Sequence, residues 1–307
     1  MQMRLGVLDV GSNTVHLQVV DASPGARPEP TINYKEEIRL AEYLTPEGLI
    51  SDEGARLLKE TIRRSLMQAK KAQTEELLPF ATSALREAKN GNEIISEINK
   101  DFEIDLQVLS GEDEAKITFL AARRWFGWSS GRLLVVDIGG GSLELAVGVH
   151  EVPDVALSLP LGASRLTKSH LDGDPFSKKS IRNLRDYIES QIEETLPTLV
   201  KHQDSDRAIA TSKTLRTLAR LCRDWIDGNG KTLRLDALRE ILPILTEMSQ
   251  EERIELPGVS GTRARQITAG AFVAESVMRN LGLDELEICP WALREGIVLK
   301  WLDWMKS

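Results

Sequence analysis

The chain has 307 residues, 41% of them hydrophobic and 28% charged, which is long enough for two domains and too apolar for a disordered protein. Its net charge of −8 at pH 7 argues against broad binding of DNA or RNA, because such binding depends on neutralising phosphates. The two cysteines lie far apart in the sequence, which excludes a disulfide framework and a Cys-x-x-Cys metal pair.

The N-terminal residues predict a β-hairpin. An apolar run ends around Asp9, and a small polar turn that contains Gly11 and Thr14 leads into a second, alternating run. Glycine lets backbone N–H groups point into one concavity, and an aspartate at the strand end can bind a cation or orient water. Asp9 and Asn13 also interrupt the apolar stretch, so it does not resemble a signal peptide. We expect no membrane span and a cytoplasmic location.

The following segments alternate between strands and helices. Their patterns predict strands at 32–40, 77–81 and 105–109, and helices at 52–72, 82–87, 91–100 and 110–126. Ser110 followed by Asp113 fits a capping box at the start of the last helix. The stretch 127–131, rich in glycine and serine, predicts the domain boundary, which divides the chain into domains 1–127 and 128–307.

The second domain begins with another predicted hairpin, followed by a strand at 155–159. Further strands are predicted at 207–210 and 285–288, and helices at 163–171, 177–194, 213–223, 235–248, 262–281 and 291–304. The alternation of strands and helices in both halves predicts an α/β fold.

The two hairpins repeat one pattern. With Asp9 placed on Asp137, Gly11 meets Gly139, and a hydroxyl residue follows three positions later in both copies. A single Gly-rich hairpin is usually only a turn, but two copies in one register are difficult to explain as turns. We therefore expect two related domains that face one another across a phosphate-binding cleft.

Five motifs occur in a fixed order across nearly the whole chain: the first hairpin, the segments 82–86 and 110–115, the second hairpin, and the segment 292–296. Together they resemble the exopolyphosphatase / guanosine pentaphosphate phosphohydrolase (Ppx/GppA) family, and the details resemble its short, two-domain actinobacterial members. The resemblance implies two actin-like domains with ribonuclease H-like topology, a homodimer, and a terminal helix near 291–304 that packs back on the first domain.

The resemblance also implies roles for residues of this sequence. The general base would be Glu114, and Arg86 would lie in the same cleft as a candidate phosphate clamp, since guanidinium matches phosphate geometry. A magnesium ion or another divalent cation is expected near Asp137, Glu144 and Asp9. The expected phosphate-binding residues are Gly11, Ser12, Asn13, Gly139, Gly140, Gly141, Ser142, Ser212, Lys213 and Thr214.

One segment departs from the family pattern. A late loop that commonly reads Ser-Gly-Thr is here Ser212-Lys213-Thr214. Either this loop no longer touches substrate, or Lys213 contacts a phosphate through its ammonium group. Cationic residues at helical spacing in 178–185 and 213–223 are further candidates for a track along a long polyanion, although such runs usually form only a solvated face.

The leading interpretation is a metal-dependent exopolyphosphatase that releases terminal phosphate from inorganic polyphosphate. The nearest alternative is hydrolysis of guanosine pentaphosphate by the same residues. Two alternatives belong to different functional classes. One is a kinase or ATPase of the same superfamily, and the other is a non-catalytic protein that binds polyphosphate or nucleotide. We expect no DNA, RNA or membrane partner.

Overall fold

The computed structural model describes residues 2–200, 205–226 and 228–305, apart from the side chains of Leu196, Val200 and Thr262. The chain forms two compact units, one of Met1–Ile117 with Leu293–Ser307 and one of Thr118–Ala292. The division follows Ile117, inside a helix, rather than the boundary after Gly127 that the sequence predicted.

The first unit is built on a five-stranded sheet. Its strands lie in the order β3-β2-β1-β4-β5 and are β1 (Met3–Val10), β2 (Thr14–Ala22), β3 (Pro30–Glu37), β4 (Glu76–Ala81) and β5 (Gln107–Val108). The first three strands pair antiparallel, and β4 and β5 continue the sheet in parallel. The helices between them are α1 (Asp52–Lys71), α2 (Ser83–Glu87), α3 (Gly91–Phe102) and α4 (Gly111–Phe126), which continues into the second unit.

The second unit follows the same plan with a six-stranded sheet. Its strands lie in the order β10-β11-β9-β6-β7-β8 and are β6 (Leu133–Ile138), β7 (Leu143–Gly148), β8 (Val155–Leu159), β9 (Arg207–Ala210), β10 (Thr232–Arg234) and β11 (Glu285–Ile288). Its further helices are α5 (Ala163–His170), α6 (Lys178–Val200), α7 (Lys213–Trp225), α8 (Leu235–Glu247), α9 (Gln250–Ile254) and α10 (Gly261–Asn280). An antiparallel meander followed by parallel strands in both units is the ribonuclease H-like arrangement that the sequence predicted.

The terminal helix α11 (Leu293–Trp304) packs on the sheet of the first unit. Leu8 and Val10 of β1 face the core formed with α1 and α3, whereas Leu5 and Val7 face the other side, where the side chains of α11 pack. Because helices cover both faces, β1 is apolar at consecutive positions instead of alternating.

The predicted helices and strands are present, but their ends differ; α6, predicted to end at 194, continues to Val200. The third strand stops at Glu37 because the N–H groups of Ile38 and Arg39 both bond to the carbonyl of Asn13, at 2.9 and 3.1 Å. β10 and α9 were not predicted from the sequence, because they have only three and five residues and are too short to show a periodic pattern. In the part of the chain that the structure describes, no helix is long and apolar enough to cross a membrane.

Candidate functional site

The two repeated hairpins make the same turn. The N–H of Gly11 donates to the carbonyl of Thr14 at 2.9 Å, and the N–H of Gly139 donates to the carbonyl of Ser142 at 2.9 Å. The residues opposite the two aspartates differ, however, since Asp9 pairs in register with His16 and Asp137 pairs with Glu144. The two hairpins therefore share their backbone geometry but not the chemistry beside the turn.

The second loop, Gly139–Ser142, rests on the N-terminus of α5. Backbone N–H groups at the start of α5 donate to the carbonyls of Gly139 and Gly140 at 2.9 to 3.0 Å; the donors are Ala163, Ser164 and Arg165. The Arg165 side chain also donates from Nε to the carbonyl of Gly141 at 2.7 Å. In a trans peptide the N–H points opposite to the carbonyl, so the N–H groups of Gly140, Gly141 and Ser142 point away from α5. Three successive N–H groups turned to one side suit an anion such as phosphate.

Gly162, just before α5, makes this close packing possible. A Cβ atom at Gly162 would lie 2.1 Å from the carbonyl carbon of Gly141, 2.3 Å from the nitrogen of Ser142 and 2.5 Å from the oxygen of Gly140. All three are backbone atoms, so no side chain can move aside. Residue 162 therefore has to be glycine for the loop to keep its position against α5.

A pair of carboxylates lies beside this loop. Asp137 and Glu144 are direct partners in the β6–β7 ladder, so their side chains are on the same face of the sheet. The hydroxyl of Thr211 donates to Asp137 Oδ2 at 2.5 Å, and the hydroxyl of Ser158 donates to Glu144 Oε1 at 2.9 Å. Among the described residues no group of three or more His, Cys, Asp and Glu could hold a metal. Two carboxylates nevertheless fit Mg²⁺, which usually takes one or two with substrate phosphate and water.

The first loop is held by the segment that follows β4. The hydroxyls of Ser12 and Ser83 are 2.8 Å apart, and both residues are buried. The N–H of Thr82 donates to the carbonyl of Val10 at 3.2 Å, and the Asn13 carbonyl accepts the two bonds that end β3. These contacts fix the predicted phosphate loop Gly11–Asn13 against the start of α2.

Glu114 and Arg86, predicted as a catalytic pair, form an ion pair in the first unit. Glu114 lies in the first turn of α4 and is 7% exposed. The N-terminus of a helix interacts favourably with a negatively charged side chain. Arg86 Nη1 bonds to Glu114 Oε1 and also donates to the carbonyl of Leu109 at 2.9 Å, which fixes the guanidinium between the end of β5 and α4. Ser110 begins the helix by accepting a hydrogen bond from the Asp113 N–H at 3.0 Å.

Asp9 belongs to a network with α11 that the sequence analysis did not predict. Arg294 Nη1 donates to Asp9 Oδ2 at 3.0 Å, and Arg294 Nε donates to Gln18 Oε1 at 3.0 Å. The amide nitrogen of Gln18 donates to Glu295, which is also buried. Burial raises the pKa of Asp9, and the charge of Arg294 opposes that rise. The motif 292–296, which supported the family resemblance, contributes Arg294 and Glu295 to this network.

The segment Ser212-Lys213-Thr214 starts α7. Ser212 is the N-cap and accepts a hydrogen bond from the Leu215 N–H at 3.2 Å. Lys213 is exposed at the first helical position. Thr214 packs against Gly270 of α10, where an added Cβ atom would lie 2.5 Å from the threonine methyl group. Since position 213 has a helical conformation, it does not need a glycine for backbone reasons. Contact of Lys213 with substrate stays a prediction.

A further residue of this segment was missed. Thr211, which bonds to Asp137, directly follows β9 in the sequence Ala210-Thr211-Ser212. The same three residue types occur at 81–83, from the last residue of β4 to the first residue of α2. This second match between the two halves of the chain was the available signal.

Comparison with known proteins is consistent with the resemblance of the motifs. A family model described as the Ppx/GppA phosphatase family matches residues 19–305. The chain is 48% identical to Exopolyphosphatase 1 of Mycobacterium tuberculosis over 98% of this chain and 89% of that protein. Exopolyphosphatase 1 of Mycobacterium leprae is also 48% identical, over 98% of this chain and 90% of that protein.

Solved structures agree with this result at the level of the fold. An exopolyphosphatase from Cytophaga hutchinsonii matches with a TM-score of 0.87 at 23% identity, over 98% of both chains. The Ppx/GppA family member of Aquifex aeolicus matches with a TM-score of 0.82 at 21% identity, over 100% of both chains. The protein belongs to the Ppx/GppA phosphatase family.

Proposed function

We propose that this protein is an exopolyphosphatase that hydrolyses the terminal phosphoanhydride bond of inorganic polyphosphate. The observation that carries the proposal is the 48% identity, over nearly the whole chain, to mycobacterial proteins named Exopolyphosphatase 1. The contacts around Glu114 and the loop Gly139–Ser142 support it, since they supply a carboxylate base and a row of N–H groups suited to phosphate.

Glu114 is the proposed general base. It accepts a proton from the attacking water through a carboxylate oxygen, which makes that water a better nucleophile toward the terminal phosphorus. The ion pair with Arg86 orients the carboxylate, and the bond from Arg86 to the Leu109 carbonyl keeps the guanidinium in place. The same guanidinium is a candidate donor to a phosphate oxygen, because its nitrogens can bond to two oxygens at once.

The loops Gly11–Asn13 and Gly139–Ser142 are proposed to bind phosphate oxygens, and Ser212, Lys213 and Thr214 stay candidates for further contacts. Asp137 and Glu144 would hold Mg²⁺ or another divalent cation, which would neutralise charge that develops on the phosphate oxygens. Asp9 stays a candidate for a contact through water. We further propose a cytoplasmic homodimer, which light scattering of the purified protein would test.

Guanosine pentaphosphate is the second candidate substrate. The chain is 26% identical to the Guanosine-5'-triphosphate,3'-diphosphate pyrophosphatase of Aeromonas hydrophila, over 95% of this chain but only 58% of that protein. Both substrates end in a phosphoanhydride, so one set of residues could act on either. Rates of phosphate release from polyphosphate and from guanosine pentaphosphate, measured side by side, distinguish the two activities.

The decisive test compares Glu114→Gln with wild type in phosphate release from long-chain polyphosphate with Mg²⁺. Glu112→Gln is the matched control, because Glu112 lies in the same helical turn but forms an exposed pair with Lys116 at 2.5 Å. We expect Glu114→Gln to lose activity by about 10²- to 10⁴-fold, the usual contribution of a general base. The control should keep its activity, and EDTA should abolish release by wild type.

Other outcomes would change the proposal. Equal activity of Glu114→Gln and wild type would show that another residue is the base. No release from polyphosphate by wild type would contradict the proposed substrate, and release from guanosine pentaphosphate would then identify the alternative. Binding of either compound without turnover would indicate a non-catalytic protein.

A further inference from the structure

Two hydroxyl groups contact the carboxylates of the proposed magnesium site. Thr211 is fully buried, and its Oγ1 donates to Asp137 Oδ2 at 2.5 Å. Ser158 Oγ donates to Glu144 Oε1 at 2.9 Å. Each carboxylate of the pair therefore has a hydroxyl donor on one of its oxygen atoms.

The sheet fixes the position of both donors. Ser158 is the direct partner of Glu144 in the β7–β8 ladder, so the two side chains lie on one face. Thr211 directly follows β9, which pairs in parallel with β6, the strand of Asp137. The Thr211 N–H also donates to the carbonyl of Val136 at 3.2 Å, which anchors the threonine backbone beside the residue that precedes Asp137.

These bonds bear on a pair of like charges. Carboxylates directly opposite each other in a ladder repel, and each can rotate about its terminal bond to increase the separation. A hydrogen bond from a hydroxyl to an ionised carboxylate is short and strong, so it opposes that rotation. A cation therefore binds more tightly to carboxylates that are already held in orientation, because binding does not have to pay the free energy of ordering them.

The first hairpin gives an internal comparison. Its aspartate, Asp9, faces His16 in the ladder and accepts a hydrogen bond from Arg294 instead of a hydroxyl. An arginine supplies positive charge from the protein itself, whereas a hydroxyl orients a carboxylate without cancelling its charge. The two hairpin aspartates therefore accept hydrogen bonds from different kinds of donor, a hydroxyl at Asp137 and a guanidinium at Asp9.

We infer that Thr211 and Ser158 are positioning residues for the divalent cation, acting through Asp137 and Glu144. The inference rests on the proposed function, because it assumes the cation site described there. Loss of a partner that orients a metal ligand typically weakens metal affinity by about 10- to 100-fold. Thr211→Val and Ser158→Ala should each have an effect of that size, and Thr211→Ser should stay close to wild type.

The test measures Mn²⁺ binding in the absence of substrate. Metal is first removed from the protein with EDTA and dialysis, and electron paramagnetic resonance then measures the concentration of free Mn²⁺. Mg²⁺ affinity is then obtained by competition. Loss of Mn²⁺ binding in Asp137→Asn identifies the part of the measured binding that belongs to the proposed site. Thr217→Val is the matched control, since Thr217 is also buried but donates to a backbone carbonyl, that of Lys213 at 2.9 Å, and not to a carboxylate of the site. Thermal unfolding of each variant verifies that it is folded.

Weaker Mn²⁺ binding in Thr211→Val and Ser158→Ala, with Thr211→Ser and Thr217→Val like wild type, supports the inference. Wild-type affinity in both hydroxyl variants, while Asp137→Asn abolishes binding, overturns the inference and leaves the proposed metal site intact. If wild type binds no Mn²⁺ or Mg²⁺ without substrate, the inference is refuted, and the proposed metal site would then depend on substrate phosphate for its remaining ligands. An equal loss in Thr217→Val would assign the effect to packing and also refute it.

Discussion

Gly162→Ala tests whether the position of the loop Gly139–Ser142 controls catalysis. Gly162 has φ −73° and ψ 143°, which alanine adopts without strain, so the substitution acts only through its added methyl group. That group would be 2.1 Å from the carbonyl carbon of Gly141, whereas ordinary van der Waals contact begins at 3.4 Å. Either the loop or the start of α5 has to move by the difference, 3.4 − 2.1 = 1.3 Å.

This displacement gives two expected magnitudes. Excess volume in a packed region typically destabilises a protein by about 1 to 3 kcal/mol. A misplacement of about 1 Å in a site that positions reacting groups can lower the rate by about 100-fold. We therefore expect Gly162→Ala to lower kcat for phosphate release by about two orders of magnitude while the protein stays folded.

The assay measures phosphate release from polyphosphate together with thermal unfolding. Gly261→Ala is the matched control, because the same methyl group at the start of α10 would meet no heavy atom within 4 Å. It should leave activity unchanged and should not lower the unfolding temperature, because alanine in place of glycine at a helical position does not destabilise a protein. Wild-type kinetics in Gly162→Ala would refute the argument that the loop has to stay at its present distance from α5. Reduced stability with wild-type kinetics would refute the link between loop position and rate.

Two further predictions concern other parts of the second unit. Burial raises the pKa of the Cys222 thiol to about 12, so the thiol stays protonated in the folded protein at a pH where the unfolded chain ionises. The unfolded chain then binds fewer protons, and stability falls as pH rises above about 9, by about 1.4 kcal/mol per pH unit. Chemical unfolding of wild type and Cys222→Ala at pH 8 and 10 should show a larger loss in wild type; equal pH dependence would contradict it. Arg216 and Arg220 lie on the cationic face of α7, where Arg216 bonds to the Pro290 carbonyl at 3.4 Å. Reversing both charges should raise KM for long polyphosphate more than for short; an unchanged chain-length preference would exclude this face as a track.

Much of the fold could be predicted from the sequence because the signals are local. Helix α1 shows Leu58 and Ile62 at helical spacing, and Ser51 caps it by accepting a hydrogen bond from the Gly54 N–H at 3.3 Å. The two hairpins repeat one pattern within a few residues, so their turns could be aligned from residue types alone. The domain boundary was less predictable, because the Gly- and Ser-containing stretch marks a break in the chain and not the limit of packing.

The partners of the site residues could not be predicted in this way. Arg294 and Asp9 are separated by 285 positions, and Thr211 and Asp137 by 74. Such contacts depend on where α11 packs and on which strands become neighbours. The spacing of residue types along the sequence indicates neither. The resemblance to a family supplied candidate roles, but it did not show which side chains orient the candidate ligands.

The sequence repeat gave Asp9 and Asp137 one expected role, and their contacts in the structure favour different ones. Asp9 accepts a hydrogen bond from Arg294, and both side chains are less than one third exposed, at 17% and 26%. Asp9→Asn keeps the shape and one acceptor oxygen but removes the charge opposite Arg294, so we expect a stability loss of about 1 kcal/mol. Direct binding of Mn²⁺ should stay close to wild type, because Arg294 already donates a hydrogen bond to this carboxylate. Asp137→Asn should instead abolish Mn²⁺ binding. Equal loss of Mn²⁺ affinity in the two variants would show that Asp9 is a metal ligand and that its contact with Arg294 breaks when the ion binds.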